Sequence, residues 1–334
     1  MRSVSILIPT FNSARVLNDC LRSIAVQDYP SDQVEIIIAD AGSTDATVQI
    51  ARQFTQKIFP NPLKTGEAGK AVALKHAKGE IVALIDSDNI LPSRDWLQRM
   101  LEPFEDSEII GTEPLEYTHR RSDGYITRYC ALIGMNDPLC LFLGNYDRYN
   151  WLTRKWTEAQ VEEEDKGSYL KIRLQEKSIP TIGANGFLVR RDALLSCDIG
   201  DYLFDIDVVY ELTLQGHSTF AKVKIGIVHI FSGNISNFLR KQQRRIRDYL
   251  YYQRTDLRKY PWGSASKGRL LKFVTYCLLV FPLLGQSSIG YRRKPDPAWF
   301  FHPLACWITL WVYGWGRIRG LVRVEIQDRT RWGQ

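Results

Sequence analysis

The chain has 334 residues, of which 24% are charged, and a formal net charge of +7 at pH 7. This length is enough for one large domain with an appended segment. Its six cysteines lie far apart, which excludes a zinc or redox motif of the usual spacing and indicates a reducing compartment. Residues 231–334 hold 19 of the 44 basic residues and 5 of the 37 acidic ones. An acidic body with a basic tail predicts a partner with an anionic surface, either nucleic acid or a membrane leaflet.

The first 110 residues alternate between short apolar strands and amphipathic helices. In chain order, strands and helices are predicted in turn at Ser3–Pro9, Ala14–Gln27, Val34–Asp40, Thr44–Phe54, Lys57–Phe59, Ala68–Lys78, Glu80–Asp86 and Ser93–Leu101. This alternation predicts an α/β fold with a mostly parallel sheet covered by helices on both faces. Because a strand already begins at Ser3, we expect no cleavable signal and a cytoplasmic amino-terminal part.

Polar segments follow three of these strands, at the edge where such sheets bind ligands. Asp86 and Asp88 follow a buried strand, and alternate side chains of an extended segment point the same way. We therefore expect the two carboxylates to hold Mg²⁺ or Mn²⁺ together with substrate phosphates. The alternative is a polar turn that merely ends the strand.

Two further residues fit a nucleotide site. Asp40 ends the second strand, where it is expected either to accept a hydrogen bond from a base N–H or to cap the turn into the next helix. Lys70 is expected to bring a positive charge near the nucleotide, or else to be a solvated helix residue.

The middle of the chain, residues 111–180, has no clear periodicity. Beyond it we predict a strand at Pro180–Arg190, a helix at Phe204–Leu214 and a strand at Thr219–Ile230.

The carboxyl-terminal part has the pattern of a membrane-associated segment. A basic amphipathic helix begins at Ile235, and two apolar stretches follow at about 273–290 and 298–316. Tryptophans in the second stretch suit a headgroup boundary, which favours a membrane-associated hairpin over a buried hairpin of a soluble domain. A hairpin that spanned the bilayer would place its basic loop outside, against the positive-inside tendency, so an interfacial or re-entrant hairpin is favoured over a spanning one. We predict a catalytic domain at 1–230, an interfacial helix region at 231–268, and a hydrophobic hairpin and tail at 269–334.

Several segments resemble, in order and spacing, the inverting family 2 glycosyltransferases of the GT-A fold. These segments are Ile8–Asn12, Ile38–Asp45, Ile85–Asp88, Gly183–Phe187 and Phe204–Asp207. The resemblance implies a GT-A-like nucleotide-binding domain over most of the first 250 residues.

The resemblance also implies roles for the matching positions. The residues expected to bind the donor are Pro9, Thr10, Asn12, Asp40, Lys70, Asp86, Ser87 and Asp88. The cofactor, Mn²⁺ or Mg²⁺, is expected on Asp86, Asp88 and His229. The residues expected to bind the acceptor are Asn185, Gly186, Gln242 and Arg245.

The catalytic base departs from the family pattern. The family has an adjacent acidic pair, whereas Ile206 separates Asp205 from Asp207 here. We place the base at Asp207, at the start of a predicted helix whose positive end favours an ionised carboxylate. Asp205 is the alternative. Gln242 and Arg245 resemble the Gln-x-x-Arg-Trp element of processive synthases, but Ile246 replaces its Trp, which argues against processivity.

These roles predict a metal-dependent hexosyltransferase that moves a sugar from a UDP- or GDP-sugar to a hydroxyl of a glycan acceptor. The acceptor is expected to be lipid-linked, with the enzyme on anionic lipids at the cytoplasmic face of the membrane. A polyprenyl-phosphate sugar synthase is the alternative enzyme, although its phosphate acceptor would need no base. The non-enzymatic alternatives are a membrane-binding or nucleic-acid-binding module, and the apolar hairpin argues against nucleic acid. A nicotinamide dehydrogenase is disfavoured because no G-x-G-x-x-G follows the first strand.

Overall fold

The computed structural model describes residues 1–255, 257–261 and 267–322. The predicted tail beyond 322 lies outside the described residues. By their internal contacts the described residues form two units. The first contains Met1–Leu115 and Gln160–Val228, and the second contains Glu116–Ala159 and the described residues from His229 onward. The division at 230 and 268 that the sequence suggested remains a prediction.

In the part of the chain that the structure describes, ten strands form one mixed sheet. They are β1 Val4–Thr10, β2 Val34–Asp40, β3 Ile58–Pro60, β4 Ile81–Leu84, β5 Asn89–Ile90, β6 Gly111–Thr118, β7 Glu162–Asp165, β8 Tyr169–Arg173, β9 Phe187–Arg190 and β10 Thr219–His229. Their spatial order is β3-β2-β1-β4-β9-β6-β10-β8-β7, with β5 paired to β10.

The amino-terminal half of the sheet is parallel, as the alternation of strands and helices predicted. β1 pairs with β2 and β4, and β2 with β3, all in parallel. The other half is antiparallel, since β9 runs against β4 and β6, and β8 runs against β10 and β7. The strands β1, β4 and β9 are buried along almost their whole length, as in a sheet covered on both faces. The predicted α/β architecture is therefore confirmed, but the sheet is mixed and not mostly parallel.

Twelve α-helices lie within the described residues. They are α1 Ala14–Ala25, α2 Thr47–Ala51, α3 Gly66–Leu74, α4 Trp96–Leu101, α5 Tyr125–Ile133, α6 Leu139–Leu143, α7 Arg191–Leu195, α8 Asp205–Leu214, α9 Ile235–Thr255, α10 Lys267–Leu279, α11 Phe281–Arg293 and α12 His302–Val322.

Two residues, Thr65 and Gly69, determine where helix α3 begins and how closely it packs on the sheet. Thr65 caps it by accepting a hydrogen bond from the backbone N–H of Ala68 at 3.1 Å. Gly69 lets the helix lie directly on β1, because a Cβ built there would stand 2.7 Å from Cβ of Pro9. This close approach buries the next residue, Lys70, beneath the carboxyl edge of the sheet.

The second unit is helical around its own apolar core. Aromatic side chains from α5, α6, α9 and α10 form much of that core, with Trp299 from the turn before α12. The first apolar stretch is broken into α10 and α11. The region predicted to be a hairpin of two helices therefore contains α10, α11 and α12. Pro282 explains the break, because its ring nitrogen has no proton to continue a helix, and Val280 before it takes a left-handed φ of 61°.

No single helix within the described part of the chain is long and apolar enough to cross a bilayer. The pair α10 and α11 passes that test together by length and composition, with a bend of 94° between them.

Candidate active site

Three strand ends meet at one edge of the sheet in the first unit. In the parallel register Thr10 lies opposite Asp40, and Leu7 lies opposite Leu84, the last residue of β4. The predicted segments after β1, β2 and β4 therefore share the edge at which doubly wound sheets bind ligands.

The carboxylate of Asp40 organises the turn after β2. It accepts hydrogen bonds from the backbone N–H groups of Gly42 and Ser43 at 3.0 and 2.8 Å. The hydroxyls of Ser43 and Thr10 donate to its other oxygen at 2.6 and 2.9 Å. The capping role that the sequence allowed for Asp40 is thus present, while its contact with a nucleobase remains a prediction.

An open cleft of about 330 Å³ adjoins this turn. Its lining includes Asp40, Gly42, Phe59, Pro60 and Lys64. Nearby, Asn12 has a left-handed φ of 46°, and its side-chain oxygen accepts the N–H of Thr44 at 2.9 Å. The segments after β1 and β2 are thereby tied together next to the cleft.

The residues from Asp86 to Asp88 form a turn and not the end of a strand. β4 ends at Leu84, two residues before the predicted boundary, and the backbone turns at Ser87 and Asp88. The side-chain oxygen of Asn89 accepts the N–H of Asp86 at 2.9 Å, and Ser87 donates its hydroxyl to Ser13 at 3.0 Å. The two aspartates therefore take their position from the turn and not from strand alternation.

Lys70 is a buried cation and not a solvated helix residue, since only 4% of it is exposed. Its ammonium group lies 2.8 Å from one carboxylate oxygen of Asp205, 2.9 Å from the other and 3.6 Å from Asp86. Burial alone would lower the pKa of Lys70, but the attraction of Asp205 and Asp86 raises it above its usual value. Lys70 thus stays protonated between two carboxylates from distant parts of the sequence.

Helix α8 begins at Asp205, so the predicted base Asp207 is its third residue and not its first. Burial raises the pKa of Asp205 to about 6, against the opposing effect of Lys70. The side chain of Asp205 keeps 22% of its surface exposed, whereas Asp207 is 5% exposed as a whole residue. The alternative candidate from the sequence is therefore the one that lies with Lys70 beside Asp86.

The predicted acceptor residues Asn185 and Gly186 lie in a loop, because the predicted strand at 180–190 begins only at Phe187. Positive φ angles at Gly183, Asn185 and Gly186 prevent an extended strand there. Asn89 donates its amide to the side-chain oxygen of Asn185 at 3.0 Å, which fixes this loop to the aspartate turn. Asn89 was not among the residues that sequence reasoning selected, although it directly follows Asp88.

The other predicted site residues belong to the second unit. His229 makes a 3.2 Å hydrogen bond with the side chain of Asn136 through Nδ1. Gln242 is fully buried, and both it and Arg245 donate to the carbonyl of Asn136 at 3.0 and 2.7 Å. The hydroxyl of Tyr313 donates to the side-chain oxygen of Gln242 at 3.0 Å. The acceptor role of Gln242 and Arg245 remains a prediction, and the observed contacts make them anchors of the Asn136 loop.

Within the described ranges, no three His, Cys, Asp or Glu side chains form a group that could hold a metal ion. Asp86, Asp88 and His229 therefore remain a predicted ligand set. The chemistry of the aspartate turn still fits Mg²⁺ or Mn²⁺, because such ions need only one or two protein carboxylates when phosphates supply the remaining oxygens.

Comparison with known proteins agrees with this geometry. Residues 5–129 match the family model described as Glycosyl transferase family 2. A poly(ribitol-phosphate) beta-N-acetylglucosaminyltransferase, TarS of Staphylococcus aureus, is 36% identical over 97 residues, which are 27% of this chain and 17% of that protein. Glycosyltransferase AglE of Haloferax volcanii is 27% identical over 140 residues, which are 40% of this chain and 45% of that protein. The chain thus matches less than half the length of these curated relatives.

A solved structure extends the likeness beyond the family match. The mannosyltransferase PcManGT of Pyrobaculum calidifontis, determined in complex with GDP-mannose and Mn²⁺, superposes with a TM-score of 0.53. It is 16% identical in sequence, over 94% of this chain and 87% of the other. At that identity the comparison establishes the fold alone, which is of the GT-A type. The match to glycosyltransferase family 2 thus covers residues 5–129, and the likeness in fold covers most of the chain.

Proposed function

We propose that this protein transfers a sugar from a nucleoside diphosphate sugar to a hydroxyl group of a glycan, with inversion at the anomeric carbon. One observation carries the proposal: Lys70 brings the carboxylate of Asp205 together with Asp86, at the edge where β1 and β2 also end. The named activities of the relatives support the class of reaction. PcManGT, with its bound GDP-mannose and Mn²⁺, supports a nucleotide sugar as donor.

The donor is proposed to lie along the carboxyl edge of the sheet. The cleft beside Asp40 would take the nucleobase of a UDP- or GDP-sugar. Asp86 and Asp88 would hold the diphosphate through Mn²⁺ or Mg²⁺, and Lys70 would add its positive charge. When bound, such a cation neutralises negative charge on the departing nucleoside diphosphate.

Asp205 is proposed as the catalytic base, in place of Asp207. A base works best when its pKa lies near the working pH, and the pKa of Asp205 is raised to about 6. Its carboxylate is also partly exposed, at the amino-terminal end of α8. Asp205 would take the proton of the acceptor hydroxyl while the hydroxyl oxygen attacks the anomeric carbon from the face opposite the leaving group.

The test combines a donor screen with two matched variants. Nucleotide sugars are screened with Mn²⁺ for a rise in the melting temperature, since a true donor stabilises the folded protein by mass action. Transfer is then measured for Asp205→Asn and Asp207→Asn. We expect Asp205→Asn to lose roughly 10²–10⁴-fold in kcat, and Asp207→Asn to lose much less. The reverse order would return the base to Asp207, and normal turnover by both would favour an acceptor that is already a phosphate, as in a polyprenyl-phosphate sugar synthase.

The second unit supports a membrane location for the acceptor. Large apolar side chains on α10, α11 and α12 and in the turn before α12 face solvent, among them Leu271, Leu278, Phe281, Phe300 and Trp311. Large apolar side chains exposed in this number favour an interaction site, and tryptophans beside arginines suit an anionic headgroup layer. We propose a lipid-linked acceptor at the cytoplasmic face of the membrane, with the helices lying in the interface.

Flotation tests this location directly. We expect the protein to float with vesicles that contain phosphatidylglycerol, to float less with neutral phosphatidylcholine vesicles, and to leave duplex DNA unshifted in a gel. If as much protein were found in the floating fraction without lipid as with vesicles, the membrane proposal would be wrong. The proposed transfer reaction would be unaffected.

A further inference from the structure

The loop at residues 183–186 is held in an unusual backbone conformation. Gly183, Asn185 and Gly186 have φ angles of +120°, +51° and +90°. The left-handed angle of Asn185 carries a local cost, and the two glycines, which can adopt many angles, keep these only where the surrounding structure fixes them. The contacts that fix this conformation identify residues with a role in the site.

One end of the loop is fixed to the aspartate turn. Asn89 donates to the side chain of Asn185, and its own oxygen accepts the N–H of Asp86. The N–H of Gly186 donates to the carbonyl of Leu84 at 2.9 Å. These bonds fix Asn185 and Gly186 but leave Gly183 to another partner.

That partner is Glu113 on β6, whose side chain is fully buried. One of its carboxylate oxygens accepts the N–H of Gly183 at 2.9 Å, and the other accepts from the ammonium group of Lys222 on β10 at 2.6 Å. Both charged side chains are 0% exposed. Since a buried ion pair is often no more stabilising than apolar residues of the same size, stability alone does not account for it.

Gly183 in turn lies against the backbone of Asp205. A Cβ built on Gly183 would stand 2.8 Å from the carbonyl oxygen of Asp205 and 3.2 Å from its Cβ. The position of Gly183 therefore limits where Asp205 can lie. A shift of Gly183 by a few tenths of an ångström would therefore also shift Asp205, the first residue of α8.

We propose that Glu113, itself oriented by Lys222, is a positioning residue that sets Asp205 through the Gly183 N–H. The role of Asp205 as base rests on the proposed function, whereas the hydrogen bond and the contact with Gly183 do not. Glu113 touches neither donor nor acceptor in this scheme and acts only through the loop.

Two double variants isolate the hydrogen bond from the ion pair. Glu113→Gln with Lys222→Met keeps an acceptor for Gly183, and Glu113→Met with Lys222→Met removes it. Each removes both charges of the Glu113–Lys222 pair together, so we expect both to fold. The control replaces Lys224 on β10 and its ion-pair partner Asp165 on β7 by Met and Asn, because this pair is 33% and 62% exposed and the N–H of Gly183 bonds Glu113 instead.

The expected result is a split between kcat and the donor KM. The Met–Met variant should lose at least about tenfold in kcat with the donor KM within about threefold of wild type, whereas the Gln–Met variant and the control stay within about threefold in both. Equal kcat values for the two double variants would overturn the proposal. Any loss of kcat would then result from the missing ion pair or from altered packing, and not from the hydrogen bond to Gly183.

Hydrogen exchange separates this proposal from the proposed function. The peptide that contains Gly183 should exchange faster in the Met–Met variant than in the Gln–Met variant, whether or not transfer is detected. If wild type transfers no sugar but this difference is seen, the proposed function fails while the positioning contact stands. If the peptide exchanges equally in both variants, Glu113 does not fix the loop and the proposal is wrong.

Discussion

Replacing Lys70 by Met should make the fold of the first unit depend on pH and on divalent cations. The substitution keeps the length of the side chain but removes the charge between Asp205 and Asp86. Breaking a buried ion pair costs about 3–5 kcal/mol when the remaining charge stays buried. The side chains of Asp205 and Asp86 retain 22% and 32% of their exposure, so water offsets part of this cost and about 2–3 kcal/mol is expected.

The sign of the pH dependence follows from Asp205. Its folded-state pKa of about 6 lies above its ordinary value, so its ionisation as pH rises through this range destabilises the folded protein. Without Lys70 the raised pKa should climb further. The variant should therefore be most destabilised near pH 8 and least near pH 5, where the carboxyl is neutral.

Thermal unfolding in EDTA measures the effect. With about 2–4 °C per kcal/mol for domains of this size, Lys70→Met should melt about 5 °C or more below wild type at pH 8. Added Mn²⁺ should restore more of the loss in the variant than it adds to wild type. Lys75→Met, an exposed lysine at the end of the same helix, is the control and should leave the melting temperature unchanged. An unchanged melting temperature for Lys70→Met in EDTA at pH 8 would refute the reasoning.

Three further outcomes are expected. Because the pKa of Asp205 is about 6, kcat should rise with pH between 5 and 7 and then level off; a flat profile in steady-state assays would argue against this residue. Gly69→Ala places a methyl group 2.7 Å from Cβ of Pro9 and should cost roughly 1–3 kcal/mol in denaturant unfolding, together with weaker donor binding. Phe281→Ser with Trp311→Ser, at positions 83% and 69% exposed, should lower vesicle binding at least about tenfold in flotation while changing stability by only about 0.5 kcal/mol each.

The parallel half of the sheet could be predicted because its signals are local. An apolar run followed by an amphipathic helix determines each strand without knowledge of the rest of the chain, and the carboxyl edge follows from parallel pairing. This reasoning brought Thr10, Asp40 and Asp86 to one edge. It did not place Asp86 in a turn, because the end of the buried strand depends on a hydrogen bond that Asn89 accepts from the N–H of Asp86, and periodicity does not record this bond.

The remaining features of the site depend on contacts between residues far apart in sequence. From the sequence alone, Lys70 could be a solvated helix residue. Its burial follows from Gly69, which lets α3 lie directly against β1. The choice between Asp205 and Asp207 depends on where α8 begins and on Lys70, which is 135 positions away. Glu113 and Lys222 are separated by 109 positions and carry no motif, so the sequence alone gave no signal for their pairing.

The second unit was misjudged in a different way. The stripe of Ile235, Phe238 and Ile246 predicted the helix α9 correctly, but Ile235 is 41% exposed while Gln242 is fully buried. Helix α9 packs along α12, and Gln242 and Arg245 of α9 bond the carbonyl of Asn136, contacts that the periodicity of α9 does not record. The polar side chain of Gln242 is stable in the buried face of α9 because Asn136 and Tyr313 satisfy its amide.

The charge arrangement at the carboxyl edge bears on the order in which cation and donor bind. Asp86 and Asp205 would repel each other across a buried space, and Lys70 removes that repulsion in the protein alone. With no donor bound, Lys70 supplies the positive charge between the two carboxylates, and the aspartate turn alone offers a divalent ion only one or two carboxylates. A nucleoside diphosphate supplies the missing oxygens and adds negative charge that Lys70 by itself does not balance. Cation and donor are thus expected to occupy the edge together, with Lys70 keeping the site assembled between turnovers.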